Sequence, residues 1–203
     1  MFLSIIFAYL LGSIPFGFLL GQVAGKDVRL LGSKNIGFTN VFRLCGWRYG
    51  LPTLLLDISK GFVAAYYLPQ IFQINGNLEI VIISLAALLG NIFPIWLKFK
   101  GGKGVATGAG IYLALLPNEL ILAAIVWGLF LSTTHLMSLS SLLATITIAT
   151  TRLFRSWPNS FNWSEWPLTF LTIATVFIVI FTHQTNIKRL LRGEENKFHK
   201  VSS

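Results

Sequence analysis

Apolar positions along this chain come in long unbroken runs, not in the alternation of a half-buried strand. Residues 2–24 form the first run. The second covers 51–71 and ends at the polar Gln73-Ile-Asn-Gly-Asn77. The third covers 79–97 and ends at Lys98-Phe-Lys-Gly-Gly-Lys-Gly104. Runs of about 18 residues or more can cross a bilayer as helices. The 47 residues from 105 to 151 carry one strong charge, Glu119, and a lone His135. At roughly 20 residues per span this stretch is too long for two. Breaks at Pro117-Asn118 and Thr133-Thr-His135 divide it into three short spans. Residues 152–166 are polar and Trp-rich, 167–183 make the last run, and 184–203 form a charged tail. The pattern predicts an all-α transmembrane bundle of seven spans. It is a single integral membrane domain over 1–203, with motif loops 25–50 and 98–104 and the tail outside the apolar layer.

Composition agrees with that pattern. Of 203 residues, 54% are hydrophobic and only 11% charged, with mean hydropathy +0.71. Soluble domains run near 25% charged, so an ordinary soluble enzyme is excluded. The net charge of +9 would suggest nucleic acid in a soluble chain. In a membrane chain it reads as positive-inside bias, and no nucleic-acid partner is expected. Five Lys and Arg lie in 25–50, three in 98–104 and five in 184–203, while Arg152 and Arg155 alone fall on the other side and Lys60 lies within a span. The C-terminus and both basic loops are therefore expected in the cytoplasm and the N-terminus outside. Trp157, Trp163 and Trp166 would form an outer aromatic belt. The first cation, Lys26, follows the first apolar run, which reads as a retained span and not a signal peptide. The single Cys45 excludes a disulfide framework and a CxxC-type zinc site.

Several polar constellations could carry chemistry. In Gly32-Ser-Lys-Asn-Ile-Gly-Phe-Thr-Asn40, the glycines allow backbone N–H groups to form an anion nest. Ser33, Asn35, Thr39 and Asn40 add hydrogen bonds around Gly37, and Arg43 adds a planar clamp. The bland alternative is a polar loop of ordinary turn residues. Lys98-Phe-Lys-Gly-Gly-Lys-Gly104 runs into an apolar helix, and such a turn offers N–H groups and a positive dipole end. It is not a nucleotide P-loop, because Leu97 and Gly104 stand where that motif needs Gly and Ser/Thr. Lys98 and Lys100 read as topology charges, whereas Lys103 beside Gly101, Gly102 and Gly104 reads as a site. His183 and Asn186 share a helix face at the end of the last span. They form either a capping cluster, with Lys188, Arg189 and Arg192 meeting headgroups, or part of a site; Lys188 and Arg192 read as headgroup contacts. Asp57 and Lys60, three apart inside a span, must pair or face a polar cavity. Either a structural ion pair or a supporting site role fits. Ser13, Gly17, Gly21 and Gly25 make a small-residue stripe suited to helix packing.

Absences narrow the chemistry. No Gly-x-Ser-x-Gly elbow occurs. Neither His135 nor His183 has Asp five residues on, where Ser140 and Lys188 stand, so the His-x4-Asp acyltransferase pattern is missing. No metal-ligand cluster is visible, and no metal or cofactor is expected. These features describe a protein acting on a phosphate compound at the inner leaflet. They do not separate an enzyme from a phosphate or organophosphate transporter.

The motifs add a resemblance. Gly12-Ser-Ile-Pro-Phe-Gly17, Gly32-Ser-x-Asn-Ile-Gly-x-Thr-Asn-Val41 with Arg43, and Leu54-Leu-Leu-Asp57 with Lys60-Gly61 come first. Phe99-Lys-Gly-Gly-Lys-Gly-Val-Ala-Thr107, His183-x-x-Asn-Ile-x-Arg-Leu190 and Gly193-x-Glu195 follow. In order and spacing the chain resembles the bacterial acyl-phosphate:glycerol-3-phosphate acyltransferases, the PlsY family. The resemblance implies a seven-span bundle in the bacterial cytoplasmic membrane with its N-terminus outside. It implies acyl transfer from acyl phosphate to the 1-hydroxyl of glycerol 3-phosphate, with membrane lipid as surroundings. By that resemblance Ser33, Arg43, Lys103, His183 and Asn186 line the substrate phosphates. Asn35, Gly37, Thr39, Asn40, Gly101, Gly102 and Gly104 would complete the binding loops, with Asp57 and Lys60 in support. Two positions depart from the family pattern. Lys34 replaces a small glycine, and Asn91 replaces a histidine, which argues against proton transfer there.

Overall fold

The structure is a computed structural model that describes residues 1–158 and 162–198. The predicted segments 152–166 and 184–203 therefore each include residues outside the described set. Among the described residues the chain is helical throughout, with no strand.

Helical stretches occupy each of the apolar runs, and the two breaks expected within 105–151 occur. The first run divides into α1 (Phe2–Ser13) and α2 (Phe16–Val23). Pro15 lies at the break, since it lacks an N–H and its ring clashes with the carbonyl four residues back. α4 (Trp47–Phe62) continues through a π turn (Val63–Tyr67) into α5 (Leu68–Ile71). It begins four residues before the apolar run predicted. α6 (Asn77–Ile92) is followed by a 3-10 turn (Ile95–Leu97). The 105–151 stretch forms α7 (Val105–Leu115), α8 (Pro117–Thr134) and α9 (Met137–Arg155). Its breaks fall at Leu116 and at His135, which closes α8 in the left-handed region at φ 58. α10 (Trp166–Thr182) and α11 (Gln184–Leu191) meet at a 66° bend.

Loop 25–50 is not all loop. It contains α3 (Phe38–Cys45), which buries Phe38, Val41 and Phe42. Residues 2–23, 77–97, 117–134 and 137–155 are long and apolar enough to cross a membrane, and the bent pair α10–α11 makes a fifth where it is counted as one span. α7 is apolar but shorter, at 11 residues.

Close helix contact depends on small residues. A Cβ on Gly61 would lie 2.0 Å from the carbonyl oxygen of Thr107, and one on Gly110 would lie 1.9 Å from that of Ile58. These two glycines let α4 and α7 touch backbone to backbone, as small residues do where lipid gives no hydrophobic drive. Gly17 lets the Ile36 carbonyl oxygen approach in the same way, and Gly21 leaves room for the Val28 side chain. Gly25 has nothing within 4 Å, so the predicted stripe stops at Gly21. Phe7, Leu55, Ile121, Ile125, Leu129, Phe177 and Phe181 are exposed on the outside of the bundle, as a surface facing hydrocarbon would be.

Charges gather at the two ends. At one end Arg152, buried, pairs with Glu165, and Arg155 lies 4.0 Å from buried Glu119. At the other lie α3, the 98–104 turn, the α8–α9 junction and α11. Ser138 and Arg152 on α9 stand about 21 Å apart at roughly 1.5 Å per residue.

Candidate active site

A cavity of about 410 Å³ opens between these elements, with a polar mouth and an apolar interior. Its mouth is lined by Ser33, Arg43, Lys103, His183 and Asn186, the five residues the resemblance assigned to substrate phosphate. They come from four separate segments. Asn35, Gly37, Thr39, Gly102, Gly104 and Asp57 also line it. Tyr112, Leu120, Ala123 and Ile148, from one apolar cluster of the bundle, give it an apolar wall.

Asn40, Gly101 and Lys60 are not in the wall, and each has a structural reason. Asn40 is buried and ties the 28–40 loop together. Its Oδ1 accepts the Ser33 N–H at 2.9 Å, while Nδ2 donates to the carbonyls of Val28 (2.9 Å), Asn35 (2.9 Å) and Leu31 (3.2 Å). Gly101 packs under the turn, where a Cβ would fall 2.2 Å from the Asn91 carbonyl oxygen. Lys60 sits behind the wall, 2.6 Å from Asp57.

The expected backbone nests are partly spent. The Gly101 and Gly102 N–H groups donate to the carbonyls of Ile92 and Asn91 at 3.0 and 2.9 Å. The Ser33 and Gly37 N–H groups donate to Asn40 and Asn35. What remains for an anion is the start of α3, after Gly37, and the start of α7, after Gly104. Neither helix has a side-chain cap, and Thr39, Val105 and Ala106 of their first turns line the cavity. Both therefore aim the positive end of a helix dipole at it. Gly104 reaches φ +83, which only glycine adopts freely, and so lets α7 start there.

Electrostatics at the mouth favour an anion. Arg43, Lys103 and Arg189 face one carboxylate, Glu195. Lys103 Nζ donates to Oδ1 of Asn186. Burial pulls its pKa down to about 8; the nearby Glu195 carboxylate opposes this, and the Arg189 and Arg43 cations add to it. Burial acts to raise the Glu195 carboxyl, but hydrogen bonds from Arg189 (2.7 Å), Asn186 (2.6 Å) and Ser138 (3.0 Å) outweigh it and hold it below the usual range. Glu195, Arg189 and Ser138 were not among the expected site residues. Arg189 and Glu195 stood in the motifs that carried the resemblance, with no site role assigned to either, and nothing in the sequence signalled Ser138.

His183 sits at the α10–α11 bend, so it and Asn186 do not share one straight helix face, though both are buried. The His183 Nδ1 lies 2.8 Å from the Val179 carbonyl oxygen. A carbonyl can only accept, so this contact places the proton on Nδ1 and leaves the Nε2 lone pair free to accept one. Asn91 lines the cavity, with Oδ1 accepting from Lys60 Nζ at 2.7 Å. Lys34 adopts φ 58 in place of glycine and is exposed. Among the described residues no group of three or more metal-ligating side chains occurs.

Such a site can hold an anionic head at its mouth and an apolar chain in its depth. A profile of the glycerol-3-phosphate acyltransferase family matches residues 2–193. The chain is 40% identical over 196 residues to a glycerol-3-phosphate acyltransferase of Endomicrobium trichonymphae, covering 96% of this chain and 94% of that one. It is 38% identical to that of Aquifex aeolicus, covering 96% and 97%. Its fold matches the crystal structure of PlsY (YgiH), an integral membrane glycerol 3-phosphate acyltransferase, in its glycerol 3-phosphate form. The TM-score is 0.86 at 38% identity, covering 98% of this chain and 95% of that one. A lysophosphatidic acid form matches at TM-score 0.84. By sequence and by fold, the chain belongs to the glycerol-3-phosphate acyltransferase family.

Proposed function

We propose that this protein transfers a fatty acyl group from acyl phosphate to the 1-hydroxyl of sn-glycerol 3-phosphate, giving lysophosphatidic acid and inorganic phosphate. The observation that carries the reading is the cavity itself, with cations and helix N-termini at its mouth and an apolar interior behind them.

Acyl phosphate is an activated mixed anhydride, so no acyl-enzyme is needed. The hydroxyl oxygen bonds to the acyl carbon, the carbon–oxygen bond to phosphate breaks, and phosphate leaves with the electron pair. Two phosphates must share the mouth. Arg43, Lys103, Asn186, Ser33 and the two helix N-termini offset their repulsion and stabilise the charge on the departing one. Holding the hydroxyl against the acyl carbon supplies several kcal/mol more. Two groups can accept the hydroxyl proton, the Nε2 of His183 and an oxygen of a bound phosphate. Asp57 and Lys60 support the wall behind Asn91.

The same reading sets the surroundings. The chain is one integral membrane domain with seven spans in the bacterial cytoplasmic membrane. Its N-terminus is outside, and the site, with loops 25–50 and 98–104, is on the cytoplasmic side. The clustered cations at the site end support that orientation. A phosphate or organophosphate transporter is not favoured, because such proteins place a midplane site between matched broken helices, and here the polar groups collect at one end. Purified protein given radiolabelled glycerol 3-phosphate and palmitoyl phosphate should yield labelled lysophosphatidic acid and phosphate in equal amounts. Label that only crosses a vesicle membrane unchanged would support the transporter instead.

A further inference from the structure

The C-terminal segment turns back across the cavity mouth. Gly193 at φ +70 ends α11, and the Glu194 N–H closes it on the Arg189 carbonyl at 2.8 Å. The segment is then fastened at two points. Glu195 is held by Ser138, Asn186 and Arg189. Phe198 donates its N–H to the His135 carbonyl at 2.7 Å. Its ring stacks on Phe42 with centroids 4.8 Å apart and meets Phe38 at 5.9 Å. Between the two fastenings, the carbonyls of Asn196 and Lys197 accept from Nη2 of Arg43 at 2.9 and 3.1 Å.

Arg43 is thereby gripped at one corner only. Its Nε is buried and has no hydrogen-bond partner among the described residues, although the side chain lines the cavity. Buried donors are almost always paired, so an unpartnered one at a cationic mouth marks a place kept for an acceptor. An arginine side chain has several rotatable bonds, and a fork that waits unpaired must be held in direction by something else. The only contacts that hold the Arg43 guanidinium among the described hydrogen bonds are those two carbonyls.

We propose that residues 194–198 form a strap that aims Arg43 into the mouth, and that Phe198 is its latch, a positioning residue acting on acyl transfer through Arg43. The inference rests on the acyltransferase reading. It assigns the ring of Phe198 no contact with substrate. Without that ring the carbonyls of 196 and 197 lose their position over Arg43, and the fork loses its aim.

A double-mutant cycle on kcat/KM tests this, using full-length protein with palmitoyl phosphate and glycerol 3-phosphate. Phe198→Ala alone should lower kcat/KM about tenfold, the scale of one charge-assisted contact. Phe198→Tyr, which keeps the stacked ring, should stay within about twofold of wild type. In an Arg43→Lys background, where the planar fork is already gone, Phe198→Ala should cost less than about twofold more. Effects that multiply in the two backgrounds would overturn the strap, as would a Phe198→Ala protein with wild-type kcat/KM. If Phe198→Ala does not accumulate, Phe198→Leu takes its place in the cycle with the same criteria. Wild-type protein that makes no lysophosphatidic acid would refute the acyltransferase reading, whereas wild-type turnover with additive losses refutes the strap alone.

Discussion

Nζ of Lys60 donates to Oδ1 of Asn91 at 2.7 Å, joining the last turn of α4 to the end of α6. The ammonium also lies 2.6 Å from Asp57 and donates to the Ile14 carbonyl at 3.1 Å, beside the Pro15 break. Asn91 also accepts the Gly102 N–H through its main-chain oxygen. The sequence reading set Asn91 aside as a departure unable to move a proton. The structure gives it a different task, which needs an acceptor and not a base. Asn91→Ala should destabilise the protein by about 1.5–3 kcal/mol, since it removes a hydrogen bond to a buried charge. Asn91→His, which can also accept, should recover most of the loss. Thermal unfolding in detergent reads both, and an Asn91→Ala protein as stable as wild type would deny Asn91 this role.

Lys103 and Lys98 lie in the same turn but should not behave alike. Lys103 is half-buried against Asn186, while Lys98 is exposed. Lys103→Ala should lower kcat/KM by one to two decades, the cost of a charge-assisted contact of about 1.5–3 kcal/mol. Arg43→Lys should do likewise, because it keeps the charge but loses the planar fork. Lys98→Ala should leave turnover nearly intact. Equal losses at Lys98 and Lys103 would show that the turn acts only through its total charge.

Lys103 also sets a pH dependence. Its pKa in the folded protein is drawn from 10.5 to about 8, chiefly by burial. The charged form is the useful one, so kcat/KM should fall as pH rises through about 8. Bound phosphate should favour the charged form, so the same limb in kcat should lie at higher pH. Stability moves the other way. The unfolded chain holds this proton more tightly, so the contribution of Lys103 to stability should rise with pH between about 8 and 10.5. A pH profile of kcat/KM with no alkaline limb below pH 9 would contradict the assignment.

Orientation is open to chemical labelling. In a Cys45→Ser background, single cysteines at Lys34 and Lys100 should resist impermeant thiol reagents in intact cells. One at Trp163, exposed at the opposite end, should react. The reverse pattern would place the cavity on the outside of the cell.

Much of this architecture was legible because hydropathy and its punctuation act locally. Pro15, Pro117 and the Thr133-Thr-His135 turn each mark a break that the backbone makes. α3 was not legible as a helix, because Gly37 before it and Asn40 within it read as turn residues while the buried face of Phe38, Val41 and Phe42 depends on tertiary packing. Trp47 and Arg48 start α4 although their polarity placed them in the loop. At the mouth, Ser33, Arg43, Lys103, His183 and Asn186 were found through motifs on separate segments. Gly101 and Asn40, drawn from the same motifs, turn inward and hold those segments instead. Glu195 stood in a motif, but its place at the mouth was not legible, for another reason. A glutamate in a charged tail looks solvated until the tail folds back, and nothing local in the sequence states that Ser138 waits opposite it.

The choice of acyl donor tests the central claim most directly. The mouth offers a compact set of cations and two helix N-termini, enough to grip one small phosphate and stabilise it as it leaves. Acyl-CoA would bring a nucleotide and a long arm that need a larger surface. Purified protein should be incubated with radiolabelled glycerol 3-phosphate and either palmitoyl phosphate or palmitoyl-CoA at equal concentration, with Lys103→Ala as the control for contaminating enzymes. The account predicts labelled lysophosphatidic acid from palmitoyl phosphate alone, reduced by one to two decades in the control. Comparable product from palmitoyl-CoA, lost in the Lys103→Ala protein, would contradict it.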